Sequence, residues 1–339
     1  MTQRSHPRKR RRLWLAIAIP LVLLIAAGVW AVVAIGPLLG IYVLPVSPSR
    51  YVTLTLEKLD QGYHAQGDAW QAERARVLEA TDGVSDYAVL HAELEKATKV
   101  AGGKHSFFLT PDEAAESDES GTEEFRAPTV TTADHVTTLE LPEFGAPGKD
   151  LEQQYADTLA SGVTDAAPQT CGWIIDLRDN RGGNMYPMLS GVASLLPNGT
   201  AMTFRSVSGA TTEVTIQDDG AGLGGRTTIR IEDAAKVTDQ PIAVLYNGMT
   251  ASSGEAVATA FRGLPKATSF GTQTAGYTSA NMVHRLPDGA MLGLTGAVYV
   301  DRNGVDLAEQ PMQPDHLTTA AEAPAAALAW IREQGCAGG

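Results

Sequence analysis

The stretch Thr250-Ala251-Ser252-Ser253-Gly254-Glu255 decides how this chain folds. It follows an apolar, β-branched run at 242–246 that predicts a buried strand, and it precedes an Ala-rich segment at 256–261 that predicts a helix. Two serines therefore stand in a strand-to-helix turn, where a hydroxyl can project beside the amides that open the helix. The turn predicts either a nucleophile at Ser252 or a capping box formed by Ser252 and Glu255.

A second strand-to-turn motif lies upstream. The run 171–177 predicts a buried strand, and it is followed by a charged segment that contains Gly182-Gly183. Glycine costs roughly 0.5–1 kcal/mol relative to alanine where the backbone is ordinary, so the pair indicates a special backbone. The pair fits a turn with positive φ, or a loop in which the amide of Gly182 or Gly183 binds an oxyanion.

His105 has the sequence context of a catalytic base among the seven histidines. It follows Gly102-Gly103 and enters a strand-like run at 106–109, so it stands at a junction where backbones can approach closely. A serine hydroxyl needs a base that is poised near neutral pH, and histidine meets that need. From the residues alone, a structural or exposed histidine remains the alternative.

The N-terminus predicts a membrane anchor. Residues 1–12 form a basic head, and residues 13–36 are apolar and uncharged. At roughly 1.5 Å per residue this run can cross a hydrocarbon core of roughly 30 Å, whereas the apolar part of a signal peptide has only ~7–15 residues. We therefore favour a retained single-pass span, with the head in the cytoplasm and the rest of the chain outside.

The chain beyond the head is strongly acidic. Six of the 26 basic residues lie in the head, so 20 basic residues face 39 acidic ones and the net charge is −19. Such a surface argues against binding to nucleic acid and favours a cationic peptide as partner. The sequence has no ligand spacing or glycine pattern that predicts a metal or a nucleotide cofactor.

Three segments complete the predicted organisation. Residues 37–100 have apolar side chains at helical spacing and predict a small helical lobe, in which His64 and His91 are expected to lie without a catalytic role. Residues 101–335 form the predicted core. Within the core, residues 112–126 predict a solvated acidic loop, which we interpret as a mobile lid that draws in basic peptides.

The two cysteines, Cys171 and Cys336, lie in the part of the chain that is predicted to be outside the cytoplasm. A disulfide is chemically permitted there, and it would join the start of a core strand to the C-terminal tail. Two buried free thiols fit the sequence equally well.

Together the motifs resemble the carboxy-terminal processing, or tail-specific, serine peptidase family, over about residues 170–316. The shared motifs are Asp176-Leu177-Arg178-x-Asn180-x-Gly182-Gly183, Asn247-x-x-Thr250-Ala251-Ser252-Ser253-x-Glu255, Gly271-x-x-Thr274-x-Gly276, Leu286-x-Asp288-Gly289 and Pro314-Asp315. The resemblance implies an α/β fold with a crotonase-like or Clp-protease-like core. It also implies Ser252 as the nucleophile, with an oxyanion hole formed by the amide of Ser253 and an amide of Gly182-Gly183.

Two departures from the family pattern point to one branch of it. Members with a Ser-Lys dyad carry their lysine where this chain has Tyr277, and no lysine occurs at 271–281. No PDZ-like insert is recognisable in residues 106–170. In both features the chain resembles the nisin-resistance branch of the family, whose members are membrane-anchored, lack a PDZ module and use a Ser-His dyad.

The resemblance assigns expected roles to further residues. It implies His105 as the base, and a late glutamate orients the base in the distantly related tricorn protease, which makes Glu309 the candidate by position. The expected substrate-binding residues are Asn184, Met185, Tyr277 and Asn281.

The sequence therefore predicts a membrane-anchored, extracytoplasmic serine endopeptidase, active as a monomer without metal or cofactor. The expected substrate is a cationic antimicrobial peptide such as a lantibiotic, cut near its C-terminus. One alternative is C-terminal processing of the cell's own exported proteins. Another is a non-catalytic module of the same fold that binds a peptide or a lipid.

Overall fold

The computed structural model describes residues 46–336 apart from 124, 146–147 and 233–235, together with isolated positions at 21, 24, 27–30 and 32. The predicted basic head and most of the predicted anchor, residues 13–36, lie outside the described residues. Among the helices in the described part of the chain, none combines the length and the apolar character that a membrane span requires.

The chain first forms three helices, α1 (Pro48–Leu59), α2 (Gly67–Ala80) and α3 (Tyr87–Gly102). Local sequence sets their ends: the Ser47 hydroxyl accepts from the amide of Arg50 at the start of α1, and Asp86 caps α3. Gly103 ends α3 with a φ of 75°, which glycine adopts without strain. These helices occupy the segment in which the sequence predicts a helical lobe.

Two sheets and five more α-helices follow within the described residues. The strands are β1 (Phe107–Leu109), β2 (Thr129–Ala133), β3 (Val136–Glu140), β4 (Gly172–Asp176), β5 (Gly199–Ser206), β6 (Thr211–Gln217), β7 (Gly220–Leu223), β8 (Arg226–Arg230), β9 (Ile242–Tyr246), β10 (Ala267–Gly271), β11 (Ser279–Arg285), β12 (Met291–Asp301) and β13 (His316–Leu317). The helices are α4 (Pro111–Glu123), α5 (Lys149–Ala166), α6 (Met185–Gly191), α7 (Ser253–Phe261) and α8 (Ala323–Glu333).

One sheet has six strands in the order β13-β10-β9-β4-β3-β2, all parallel except for the β2–β3 pair. Its central strands β4 and β9 are buried along their whole length, as is typical of parallel strands covered on both faces. Helices α5, α6 and α7 pack with one face in the main apolar core, and α8 covers the other face. The carboxyl ends of β4 and β9 therefore lie side by side at one edge.

The second sheet is antiparallel, in the order β1-β12-β5-β6-β7-β8, with β11 on the other side of β12. The lobe packs on this sheet through a separate apolar core, in which Trp70 and Leu94 meet Phe108, Leu292 and Leu294. The mixture of helices and sheets confirms the predicted α/β class.

The acidic segment differs from the prediction, because most of it forms helix α4 and not a loop. The helix begins with a capping box: the amide of Thr110 donates to Glu113 at 2.8 Å, and the amide of Glu113 donates to the Thr110 hydroxyl at 3.4 Å. Pro111 at the first helical position and Asp112 in the first turn also favour a helix start. The density of charge concealed these signals in the sequence.

Cys171 and Cys336 form a disulfide that links residues 165 positions apart. The bond joins the residue before β4 to the tail beyond α8, and Cys336 is buried. Of the two alternatives that the sequence left open, the structure has the disulfide.

Loss of this disulfide should destabilise the core. We expect Cys336→Ser to lower the free energy of unfolding by about 2–4 kcal/mol, because the open chain regains conformational entropy when it unfolds. Urea titration of the full chain checks this, and the wild type in reductant should match the variant. Equal stability of the oxidised wild type and the variant would contradict it.

Candidate active site

The loops after β4 and β9 are joined into one unit by polar residues of the two motifs. Asn180 is fully buried, donates to the carbonyl of Leu141 at 2.9 Å and accepts from the amide of Ala251 at 2.9 Å. The Thr250 hydroxyl donates to the carbonyl of Leu177 at 2.7 Å. The glycine loop and the serine turn are therefore held against each other before any substrate arrives.

Ser252 stands at the tip of the turn, immediately before α7. Its φ of 51° lies in the left-handed region, where a non-glycine residue is strained, and such strain is typical of functional sites. The amide of Ser252 donates to Glu255 at 2.9 Å, so the glutamate half of the predicted capping box is formed. The same turn can therefore cap the helix through Glu255 and present the Ser252 hydroxyl as a nucleophile.

Glu255 is completely buried and serves four donors. Its oxygens accept from the amides of Ser252, Gly276 and Tyr277, at 2.9, 2.9 and 2.7 Å, and from the hydroxyl of Thr274. Burial raises the pKa of this carboxyl, and the donors oppose that shift. The carboxylate ties the serine turn to the polar loop that precedes β11.

The glycine loop presents one free amide to the cleft. The amide of Gly182 donates to the Asn180 side chain at 2.9 Å, so it is already satisfied. Gly183 is exposed and lines the cleft, and within the described residues its amide and that of Ser253 have no acceptor. Of the two glycines that the sequence offered as donors, Gly183 is the one with a free N–H.

The glycine loop cannot move away easily. The Ser253 hydroxyl donates to the carbonyl of Gly183, and a Cβ on Gly183 would lie 1.8 Å from the carbonyl oxygen of Phe144. With a φ of 98°, Gly183 occupies a position that only glycine fits. Its amide and that of Ser253 form a preorganised pair of donors beside Ser252.

His105 is oriented through a chain of hydrogen bonds. Its Nδ1 lies 2.8 Å from the Ser279 hydroxyl, which donates to Glu309 at 2.9 Å. The carboxylate only accepts, so the single proton of Ser279 goes to Glu309 and Ser279 accepts from His105. This assigns the proton of the neutral ring to Nδ1 and leaves Nε2 free to act as a base.

Glu309 is itself held in an unusual conformation, with a φ of 54°. One oxygen accepts from Ser279, and the other lies 3.4 Å from Nε2 of His64 in the helical lobe. Gly103 leaves room for this contact, since a Cβ there would lie 2.8 Å from the His64 ring. The lobe histidine that the sequence placed away from chemistry thus contacts the candidate orienting glutamate.

The surroundings of His105 disfavour its charged form. Burial lowers the pKa of the imidazole to about 4, a shift that Lys104 and Lys99 reinforce and the negative charge of Glu309 opposes. The ring also contacts Tyr277 edge to face, with centroids 5.1 Å apart. His105 is therefore neutral at physiological pH.

Ser252 and His105 line the same cleft, which has a volume of about 650 Å³. No hydrogen bond joins their side chains within the described structure, and catalytic hydrogen bonds of ligand-free sites are often formed only in the substrate complex. The cleft is also lined by Gly183, Asn184, Met185 and Asn281.

The predicted substrate-binding residues differ in their surroundings. Asn184 caps α6 through the amide of Tyr186 at 3.0 Å, and Met185 is buried. Asn281 donates to the backbone carbonyl of His105 at 2.8 Å, so it holds the segment that carries His105. Tyr277 is absent from the described lining of the cleft and stands behind His105, where Lys104 lies 5.0 Å from its ring centre.

Sequence reasoning missed Ser279 and His64. Ser279 begins β11 directly after a polar loop that contains several other hydroxyl residues, and its residue type does not distinguish it from them. Both contacts join residues far apart in the chain, so only the tertiary structure identifies them. The only available signal for Ser279 was its position two residues after the site of the missing lysine.

Several known proteins are similar to this chain in sequence. A model described as peptidase family S41 matches residues 135–318. The chain is 35% identical over 297 residues to a nisin-resistance protein of Lactococcus lactis subsp. lactis, covering 87% of this chain and 90% of that protein. It is 31% identical over 166 residues to a carboxy-terminal-processing protease of Bartonella bacilliformis, covering 49% of this chain and 34% of that protein.

Two solved structures are similar to this chain in fold. A lipoprotein from Streptococcus agalactiae superposes with a TM-score of 0.77 at 30% identity, over 87% of this chain and 99% of that chain. The photosystem II D1 C-terminal processing protease superposes with a TM-score of 0.58 over 81% of this chain and 94% of that chain. At 16% identity, the second match shows a common fold only.

The pH dependence should reveal the buried base. Neutral His105 is the active form, so kcat/KM for a peptide substrate should stay high below neutral pH and fall as the pH drops through about 4. A pH profile of initial rates measures this, with circular dichroism at each pH to show that the protein stays folded. An acid limb centred near the ordinary histidine pKa of about 6.5 would contradict the burial argument.

Breaking the chain of hydrogen bonds from His105 through Ser279 to Glu309 should affect kcat more than KM. We expect Ser279→Ala to lower kcat by about 10²-fold, because His105 loses the partner that sets its tautomer. Ser279→Thr keeps the hydroxyl and should restore most of the rate. The double variant with Glu309→Gln should be no worse than the poorer single variant, whereas fully additive losses would show that the two residues act separately.

Proposed function

Because the chain belongs to peptidase family S41, a family of serine proteases, we propose that it is an extracytoplasmic endopeptidase that cleaves cationic peptides near their C-termini. A lantibiotic is the proposed substrate class. The observation that carries the proposal is the cleft in which Ser252, the neutral His105 and the free amide of Gly183 meet.

The proposed reaction uses each of these groups. The Ser252 hydroxyl attacks the scissile carbonyl while Nε2 of His105 accepts its proton, and the amides of Gly183 and Ser253 bind the oxyanion. His105 then gives the proton to the leaving amine, which frees the C-terminal fragment and leaves an acyl-enzyme on Ser252. Water attacks that ester, again with His105 as base, and releases the N-terminal fragment as an acid.

Charge supports a cationic substrate. Helix α4 borders the cleft through Ser117 and Asp118, and its exposed side chains include Asp112, Glu116 and Glu119. The domain around it has a net charge of −19 beyond the basic head. A field of this sign raises the association rate of cationic peptides and lowers that of anionic ones.

The proposed location rests on two independent observations. The disulfide between Cys171 and Cys336 is of a kind that persists in oxidising compartments. The basic head and the apolar run at 13–36 form the sequence pattern of an anchor with its N-terminus in the cytoplasm. We propose that the peptidase is a monomer held at the outer face of the cell membrane by this segment.

A second candidate function is C-terminal processing of the cell's own exported proteins. It is favoured by the likeness to the carboxy-terminal-processing protease of Bartonella bacilliformis. The two functions differ in substrate and not in mechanism. This candidate is tested by comparing the exported proteins of cells that carry the active enzyme with those of cells that lack it. Proteins with shortened C-termini should appear only in the cells that carry the enzyme.

Cleavage of a lantibiotic is the direct test. The full chain, solubilised in detergent, should cut nisin to a shorter N-terminal fragment that is visible by mass spectrometry, and it should react with a fluorophosphonate probe. Ser252→Ala should lose both activities and His105→Ala should lose at least about 10²-fold in rate. A wild type that binds nisin without cutting it or reacting with the probe would instead be a binding module.

Helix α4 should act through charge alone. Replacing Asp112, Glu116 and Glu119 by their amides should lower kcat/KM for a cationic peptide by about 10-fold at low salt, and the difference should vanish near 1 M salt. Asp118 and Glu113 stay unchanged because they bond to Arg285 and Thr110. A neutral peptide is the control, and an equal loss with that peptide would contradict the charge argument.

A further inference from the structure

Arg181 has no bonding partner in the described part of the chain. It lies in the glycine loop between Asn180 and Gly182, is exposed and lines the cleft. Every other described arginine except Arg226 bonds to a carboxylate or a carbonyl oxygen. In a domain with so many more acidic than basic residues, an unpaired guanidinium is unexpected.

The nearby carboxylates are already bonded to other groups. Asp179 accepts from the Asn247 side chain at 2.9 Å, Glu152 accepts from Asn184 at 3.0 Å, and Asp118 bonds to Arg285. Among the described residues that line the cleft, Arg181 is the only arginine and there is no lysine. The cleft therefore contains one fixed positive charge, that of Arg181, which forms no ion pair with a described carboxylate.

The backbone that carries this charge lies close to the proposed nucleophile. A Cβ on Gly182 would be 2.8 Å from the Cβ of Ser252, so the Cα of Arg181 lies within about 8 Å of Ser252. An extended peptide advances about 3.3–3.6 Å per residue. An anion held by the Arg181 side chain would thus belong to a residue about one to four positions from the scissile bond.

We propose that Arg181 binds the C-terminal carboxylate of the substrate, on the leaving-group side of the scissile bond. Guanidinium and carboxylate pair through two parallel hydrogen bonds, which orient as well as attract. A cationic peptide carries this carboxylate at one end only. Helix α4 attracts the cationic part of the peptide, and Arg181 fixes its direction and the distance of the cut from its end.

The inference rests on the proposed peptidase function and is tested with peptide probes. A lysine-containing peptide of about eight residues is prepared as the free acid, as the amide, and as an amide whose last residue is glutamate. For the full-length wild type we expect kcat/KM to be about 10- to 100-fold higher for the acid than for the amide. Arg181→Gln should remove that ratio by slowing the acid alone, and Arg181→Lys should keep part of it. Arg226→Gln is the matched control and should retain the wild-type ratio.

The possible outcomes separate the two ideas. No cleavage of any probe by the wild type would overturn the proposed function itself. Cleavage of acid and amide at equal rates, or an equal loss for both in Arg181→Gln, would leave the peptidase standing and overturn the role of Arg181. Rapid cleavage of the glutamate amide would show that a side-chain carboxylate suffices, which would overturn recognition of the chain end.

Discussion

The buried carboxylate of Glu255 is the constraint on which the site depends. A carboxylate removed from water is costly unless donors surround it, and this one has the amides of Ser252, Gly276 and Tyr277 and the hydroxyl of Thr274. The donors belong to two segments, the turn of Ser252 and the loop that leads to Ser279. Satisfying one buried charge therefore fixes both the turn of the nucleophile and the loop that leads to the base's partner.

The parts of the structure that could be predicted from the sequence are local. A strand, a turn and a helix around Ser252 follow from residue type and spacing, and the motif at 176–183 follows in the same way. The motif residues also have evident physical roles: Thr250 joins the two loops, the Asn180 side chain binds Leu141 and the amide of Gly182, and Gly183 fits where a side chain cannot. Short-range chemistry of this kind leaves a clear pattern in a sequence.

What could not be predicted depends on contacts between distant segments. Ser279 is one hydroxyl residue among many until folding brings it 2.8 Å from His105, and His64 is an ordinary polar residue until the lobe docks. Charge misled the interpretation of 112–126, because a capping box outweighs the repulsion between acidic side chains at the start of α4. The choice of Gly183 over Gly182 depends on one hydrogen bond, which the amide of Gly182 donates to the Asn180 side chain.

The disulfide divides the proposed catalytic residues into two groups. The covalent ring that it closes contains Ser252, Ser279 and Glu309, but His105 lies upstream of Cys171 and outside the ring. His105 lies two residues before β1, which packs with the helical lobe in an apolar core that also includes Leu292 and Leu294 of β12. The position of the proposed base therefore depends on noncovalent packing of the lobe against β12, whereas the proposed nucleophile lies within a covalent ring.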